Sequence, residues 1–151
     1  MTWVNDHLFV AGGDLIAETW ADFQNQTGIT VVVSLRAEGP ENFGPPLPLA
    51  YLWLPADDAE ELSLDGWRLG AQFIEAAVTL NRRVLLHCRL GLHRVRPLFA
   101  AYLVHTGKSV RAALREVEER PWMKPYRGDP ERLEEFARKY YNGLDWTLSI
   151  L

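Results

Sequence analysis

The sequence predicts an α/β fold: a central, mostly parallel sheet of about four or five strands flanked by helices. Three observations carry this expectation. Short apolar runs alternate with segments of helical periodicity as far as His105, after which the pattern is helical throughout. The run Thr30-Val31-Val32-Val33-Ser34-Leu35 is apolar on both faces, as a parallel strand covered by helices must be. Composition is that of an ordinary globular chain, 48% hydrophobic and 24% charged, and six tryptophans argue against disorder.

In chain order, His7-Leu8-Phe9-Val10 reads as a short strand ending in the tight turn Ala11-Gly12-Gly13. Asp14 can cap a helix in which Ile16, Trp20 and Phe23 recur at helical spacing, and Gly28 is placed to end it. The strand 30–35 follows and is expected to be central. Residues 37–48 hold Gly39, Pro40, Gly44, Pro45, Pro46 and Pro48, a density that forbids regular structure and marks an exposed loop. Leu49 to Leu54 is the third strand, and Pro55-Ala56-Asp57-Asp58-Ala59-Glu60-Glu61 an acidic loop.

Leu69, Phe73, Ala77 and Leu80 are read as the apolar stripe of the next helix, which leads to the strand Arg83-Val84-Leu85-Leu86-His87. Pro97 lies in the first turn of a buried helix that Gly107 ends. Ser109 caps a helix whose Val110, Ala113, Leu114 and Val117 share one face. Asp129-Pro130 opens the last helix, with Leu133, Phe136, Ala137 and Tyr140 facing the core. The apolar stretch 145–151 is expected to dock back on the protein, a partner contact being the alternative, and residues 1–151 read as one domain.

Net charge is -4 and the pI about 5.6, so binding to nucleic acid or an acidic membrane would need a basic patch that bulk composition does not supply. Met1-Thr2-Trp3-Val4-Asn5-Asp6 shows neither a secretory signal nor an anchor, and no apolar run approaches membrane-spanning length. One cysteine excludes an internal disulfide and suits a reducing compartment, so the expectation is a cytoplasmic monomer.

A lone cysteine is most often a small buried hydrophobe. Cys88 differs because it ends a strand and is followed closely by the start of a helix, where backbone N–H groups converge on one point, the geometry of an anion site. Gly91 allows backbone angles closed to other residues, and Arg94 offers a planar fork for two phosphate oxygens. Helix charge and Arg94 are expected to lower the Cys88 pKa below its free value of about 8.5, making a nucleophile of it at neutral pH.

His87 to Arg94 reads HCRLGLHR, which resembles the HCxxGxxR signature of the protein tyrosine and dual-specificity phosphatases. His7 to Gly12, Gly28 to Leu35 and Gly107 to Arg120 are similar to flanking segments of the dual-specificity branch. The resemblance implies a phosphoric monoester hydrolase with Cys88 as nucleophile and a phosphocysteine intermediate. Arg94, with Arg89, Leu90, Gly91, Leu92 and His93, would bind the phosphoryl group. The family's general acid lies roughly thirty residues upstream, and alignment on Pro55 and Leu62 favours Asp58 over Asp57.

His87 takes the family's structural and electrostatic role, while His93 is either loop filler or a substrate contact. Where the family usually places Ser or Thr after the arginine this chain has Val95, which implies slow breakdown of the phosphoenzyme. No cofactor or metal is implied, because His87, Cys88, His93 and His105 match no common zinc spacing. The implied partner is a phosphorylated protein or a small phosphorylated molecule. Alternatives are a phosphate-binding pseudophosphatase, a phosphoinositide or inositol phosphate phosphatase favoured by a basic rim of Arg89 and His93 with Arg36 or Arg96, and a rhodanese-like sulfurtransferase.

Overall fold

The computed structural model describes residues 2–13, 15–56, 62–88 and 94–142. Strands β1 (Thr2–Trp3) and β2 (Leu8–Gly12) precede helices α1 (Leu15–Glu18) and α2 (Trp20–Thr27). β3 (Ile29–Arg36), β4 (Ala50–Ala56), α3 (Leu64–Thr79) and β5 (Arg83–Cys88) follow. The chain then turns helical: α4 (Val95–His105), α5 (Val110–Glu118), α6 (Asp129–Ala137) and a π-helical turn, Arg138–Asn142. The sheet order is β1-β2-β5-β3-β4, with β2, β5, β3 and β4 parallel and only the short edge strand β1 antiparallel. The predicted fold class is therefore the observed one.

Alternation along the strands sends side chains to two unequal cores. Val31, Val33, Leu35, Val84 and Leu86 face α3 to α6, while Phe9, Ala11, Val32 and Leu85 face α1, α2 and the buried Phe43. A register shift between Ile29 and Val31 puts Ile29 on the second face with Val32. Ser109 caps α5 as expected, accepting from the Ala112 N–H at 3.1 Å, and Gly28, at φ 72°, ends α2 in the left-handed conformation that an L side chain resists.

Two expectations need correction. Leu69 and Leu80, assigned to the apolar stripe of α3, are 58% and 70% exposed; the buried face is Gly66, Trp67, Gly70, Ala71, Ile74 and Ala77. Size decides the matter, since the large Trp67 fills the core while the absent side chain of Gly70 lets α3 approach α4. A Cβ there would lie 2.7 Å from Leu98 Cδ1. Arg96, offered as a rim charge, is 3% exposed: its guanidinium sits 2.7 Å from Asp129 Oδ2 and donates to the Met123 carbonyl at 2.7 Å. A buried guanidinium needs a counter-charge, and α6 supplies it. The predicted first helix is also two pieces, broken at Thr19, and β1 has no counterpart among the expected strands. The Asp14 cap and the stretch 145–151 lie outside the described residues.

Candidate active site

The four parallel strands end together, at Gly12, Cys88, Arg36 and Ala56, on the edge where open α/β sheets bind ligands. Cys88 is the last residue of β5 and opposes Gly12; the Gly13 N–H donates to the Cys88 carbonyl at 3.1 Å. Arg94 immediately precedes α4, so the strand and the helix bring back together two residues that the sequence separates.

Arg94 is 6% exposed. One arm of its fork donates to the Ala56 carbonyl at 2.8 Å, and the other meets Glu38 Oε2 at 3.4 Å. The arginine thus reaches from the start of α4 to the last residue of β4, the point at which the acidic segment 57–61 begins.

Cys88 has no exposed surface, and burial pushes its thiol up to about 11. Arg94 and a hydrogen bond to the Val95 backbone pull the other way, whereas the Glu38 carboxylate pushes it further up. The expectation of a lowered pKa is therefore reversed among the described residues: the cost of desolvating a thiolate exceeds the attraction of one guanidinium whose charge Glu38 partly offsets.

His87 is buried between two acceptors. Its Nε2–H donates to the Gly13 carbonyl at 2.6 Å, and Nδ1 lies 2.7 Å from Glu41 Oε2, with both side chains almost fully buried. Since a carbonyl only accepts, Nε2 carries a hydrogen, and Nδ1 faces the Glu41 carboxylate. Burial alone would raise the Glu41 carboxyl; hydrogen bonds from His87 and Ser34 and the charges of His87 and Arg36 hold it below the ordinary value of 4.5. Tyr51 closes the group, accepting from the Glu41 N–H at 3.0 Å and donating to Oε1 at 3.2 Å. Gly13 thereby ties together the histidine and the backbone of the cysteine that follows it.

Of the predicted site residues, Cys88 and Arg94 come together. Arg89, Leu90, Gly91, Leu92, His93, Asp58 and its rival Asp57 lie outside the described residues. Glu38 and Glu41 were not singled out from sequence, since they sit among prolines and glycines in a stretch read as exposed loop. The available signal was indirect: an arginine and a histidine buried beside a cysteine require carboxylates, and the loop leaving β3 is the neighbouring source. Among the described residues no cluster of three His, Cys, Asp or Glu side chains is arranged to hold a metal, and no helix is long and apolar enough to cross a membrane. A cavity of about 790 Å³ bordered by His105, Lys108, Arg111 and Arg138 lies at the opposite end of α4 from Cys88.

A family model described as "Tc-R-P: Polymorphic toxin system, DSP-PTPase phosphatase" matches residues 12–108. Dual specificity protein phosphatase 1-B of Xenopus laevis is 28% identical over 88 residues, 58% of this chain and 23% of its own. Human dual specificity protein phosphatase 4 is 27% identical over 84 residues, 55% of this chain and 21% of its own, so the matches span under a quarter of these curated relatives. The crystal structure of human DUSP28 matches with a TM-score of 0.76 and 25% identity, covering 92% of this chain and 96% of that one. That of DUSP15 also gives 0.76 and 25% identity, covering 99% and 94%.

Proposed function

Because the chain belongs to the dual-specificity phosphatase family, we propose that it hydrolyses phosphate monoesters with Cys88 as nucleophile. The observation that carries this reading is the meeting of Cys88 and Arg94 at the C-terminal edge of the parallel sheet, one ending β5 and the other preceding α4. Cys88 gives its thiol proton to the bound phosphate dianion and attacks phosphorus as the thiolate while the bond from phosphorus to the leaving oxygen breaks, and Asp58 gives that oxygen its proton. In the second step water attacks the phosphocysteine, Asp58 takes a proton from the water, and phosphate and the Cys88 thiolate are released. Arg94 holds the phosphoryl oxygens through both steps, together with the segment Arg89-Leu90-Gly91-Leu92-His93.

The position of Ala56 supports Asp58: its carbonyl accepts from Arg94, and Asp58 follows two residues later. His87 is not a base in this scheme; its ring is committed to Gly13 and Glu41. Phosphoprotein is the proposed substrate, because the burial of Arg96 against Asp129 removes it from the basic rim that favoured a polyphosphorylated small molecule. The lone thiol favours a reducing, cytoplasmic setting.

The raised Cys88 thiol and the apolar Val95 favour one second reading, a phosphate-binding protein of low turnover. Hydrolysis of an aryl phosphate by the wild type and its loss in Cys88→Ser support the enzyme. Tight binding of phosphate or a phosphopeptide, with hydrolysis no faster than in Cys88→Ser, supports the binder.

A further inference from the structure

We propose that Arg132 is a positioning residue for the acid segment 57–61, holding the end of that segment nearer α3 so that Asp58 meets the leaving oxygen. The inference rests on the reading of Asp58 as the acid. Arg132 stands on α6, in the half of the chain after the signature, and reaches across to the turn before α3. Its Nη2–H donates to the Leu62 carbonyl at 2.5 Å, and Leu62 is the first described residue after the segment. The same guanidinium lies 4.8 Å from the ring centroid of Trp67, which has no exposed surface. Stacking on an indole while donating to a carbonyl suits the planar guanidinium and not the compact ammonium of lysine.

Leu62 is held from below as well. Its Cδ1 lies where a Cβ on Gly66 would come within 2.7 Å, so a glycine is what lets the side chain settle on the first turn of α3. The π-helical turn after α6 grips that same helix: Tyr140 donates to Asp65, and Arg68 donates to the Tyr140 carbonyl at 3.4 Å. At the other end of the segment, Arg94 binds the Ala56 carbonyl. The two described residues that flank the acid segment, Ala56 and Leu62, therefore each accept from an arginine, one from the phosphate site and one from α6. Proton transfer depends on placement at hydrogen-bond reach, so loosening one anchor lowers the rate where leaving-group protonation matters and spares it where it does not.

The test is a series of aryl phosphates running from strongly to weakly acidic leaving phenols, turned over by wild type, Asp58→Asn, Arg132→Ala and Arg132→Lys. Asp58→Asn is expected to cut kcat about 10²-fold or more on the weakly acidic phenols and little on the most acidic. Arg132→Ala is expected to show the same dependence on leaving group at roughly a tenth of that size, with KM unchanged, and Arg132→Lys to recover part of the loss. A loss that is uniform along the series, or confined to KM, overturns the inference while leaving Asp58 as the acid. If Asp58→Asn itself shows no leaving-group dependence, the acid assignment falls and the role of Arg132 falls with it. Should Arg132→Ala not fold, Arg132→Gln carries the same comparison.

Discussion

A thiol without exposed surface, set between a guanidinium and a carboxylate, titrates according to which neighbour outweighs desolvation. At Cys88 burial dominates, so the resting group keeps its proton at neutral pH. Alkylation of Cys88 by iodoacetamide is expected to be slow at neutral pH and to climb as pH approaches about 11. Glu38→Gln removes a charge that raises the thiol and moves the profile to lower pH; an unmoved profile refutes the coupling. The stability consequence has a definite sign. The folded thiol sits above its ordinary value, so its contribution to stability is intact below that value and is lost as pH rises toward about 11.

Val95 is as buried as Cys88 and opens α4 directly after Arg94. A wild-type burst of phenol release followed by a slower steady rate is expected, with Val95→Ser shrinking the burst and raising the steady rate. Rapid-mixing kinetics reads both, and an unchanged steady rate counts against the assignment.

Among the elements, α3 and α4 meet through Gly70. Gly70→Ala places a methyl 2.7 Å from Leu98 Cδ1, with Leu54 Cδ1 close behind, and is expected to cost about 1–3 kcal/mol in a urea melt. The junction of α4 with α6 depends on the buried pair Arg96–Asp129; Asp129→Ala strands a guanidinium and is expected to cost about 3–5 kcal/mol. The four parallel strands were legible in the sequence because short apolar runs between turns and loops have few other readings; the two-residue β1 was not. The α3 face was not, because several apolar residues competed for it, and only the packing of Trp67 and Gly70 against other helices selects among them. Cys88 and Arg94 were legible because one short motif carries both. Glu38 and Glu41 were not: an aperiodic loop gives no hint of burial until the pairing of β3 with β5 brings it beside His87.

For the molecule as a whole, Glu41 sets part of the acid limit. Its folded pKa lies below 4.5, so the stability it lends is present above that pH and is lost as pH falls through the folded value. Glu41→Gln is expected to lower stability at neutral pH by about 1–3 kcal/mol and to flatten the acid limb of the stability curve; an unaltered limb disproves the link.

The strand order also fixes when the molecule can assemble. β5, the middle of the sheet, is the last strand among the described residues: Leu8 waits for Val84 and Val32 for Leu85. Until β5 leaves the ribosome, β1–β2 and β3–β4 are separate ribbons with no common partner. Most of the loop-closure entropy is then met in one late step. Assembly of the sheet therefore waits on synthesis of β5, and until then the nascent chain presents unpaired apolar edges that chaperones are built to cover.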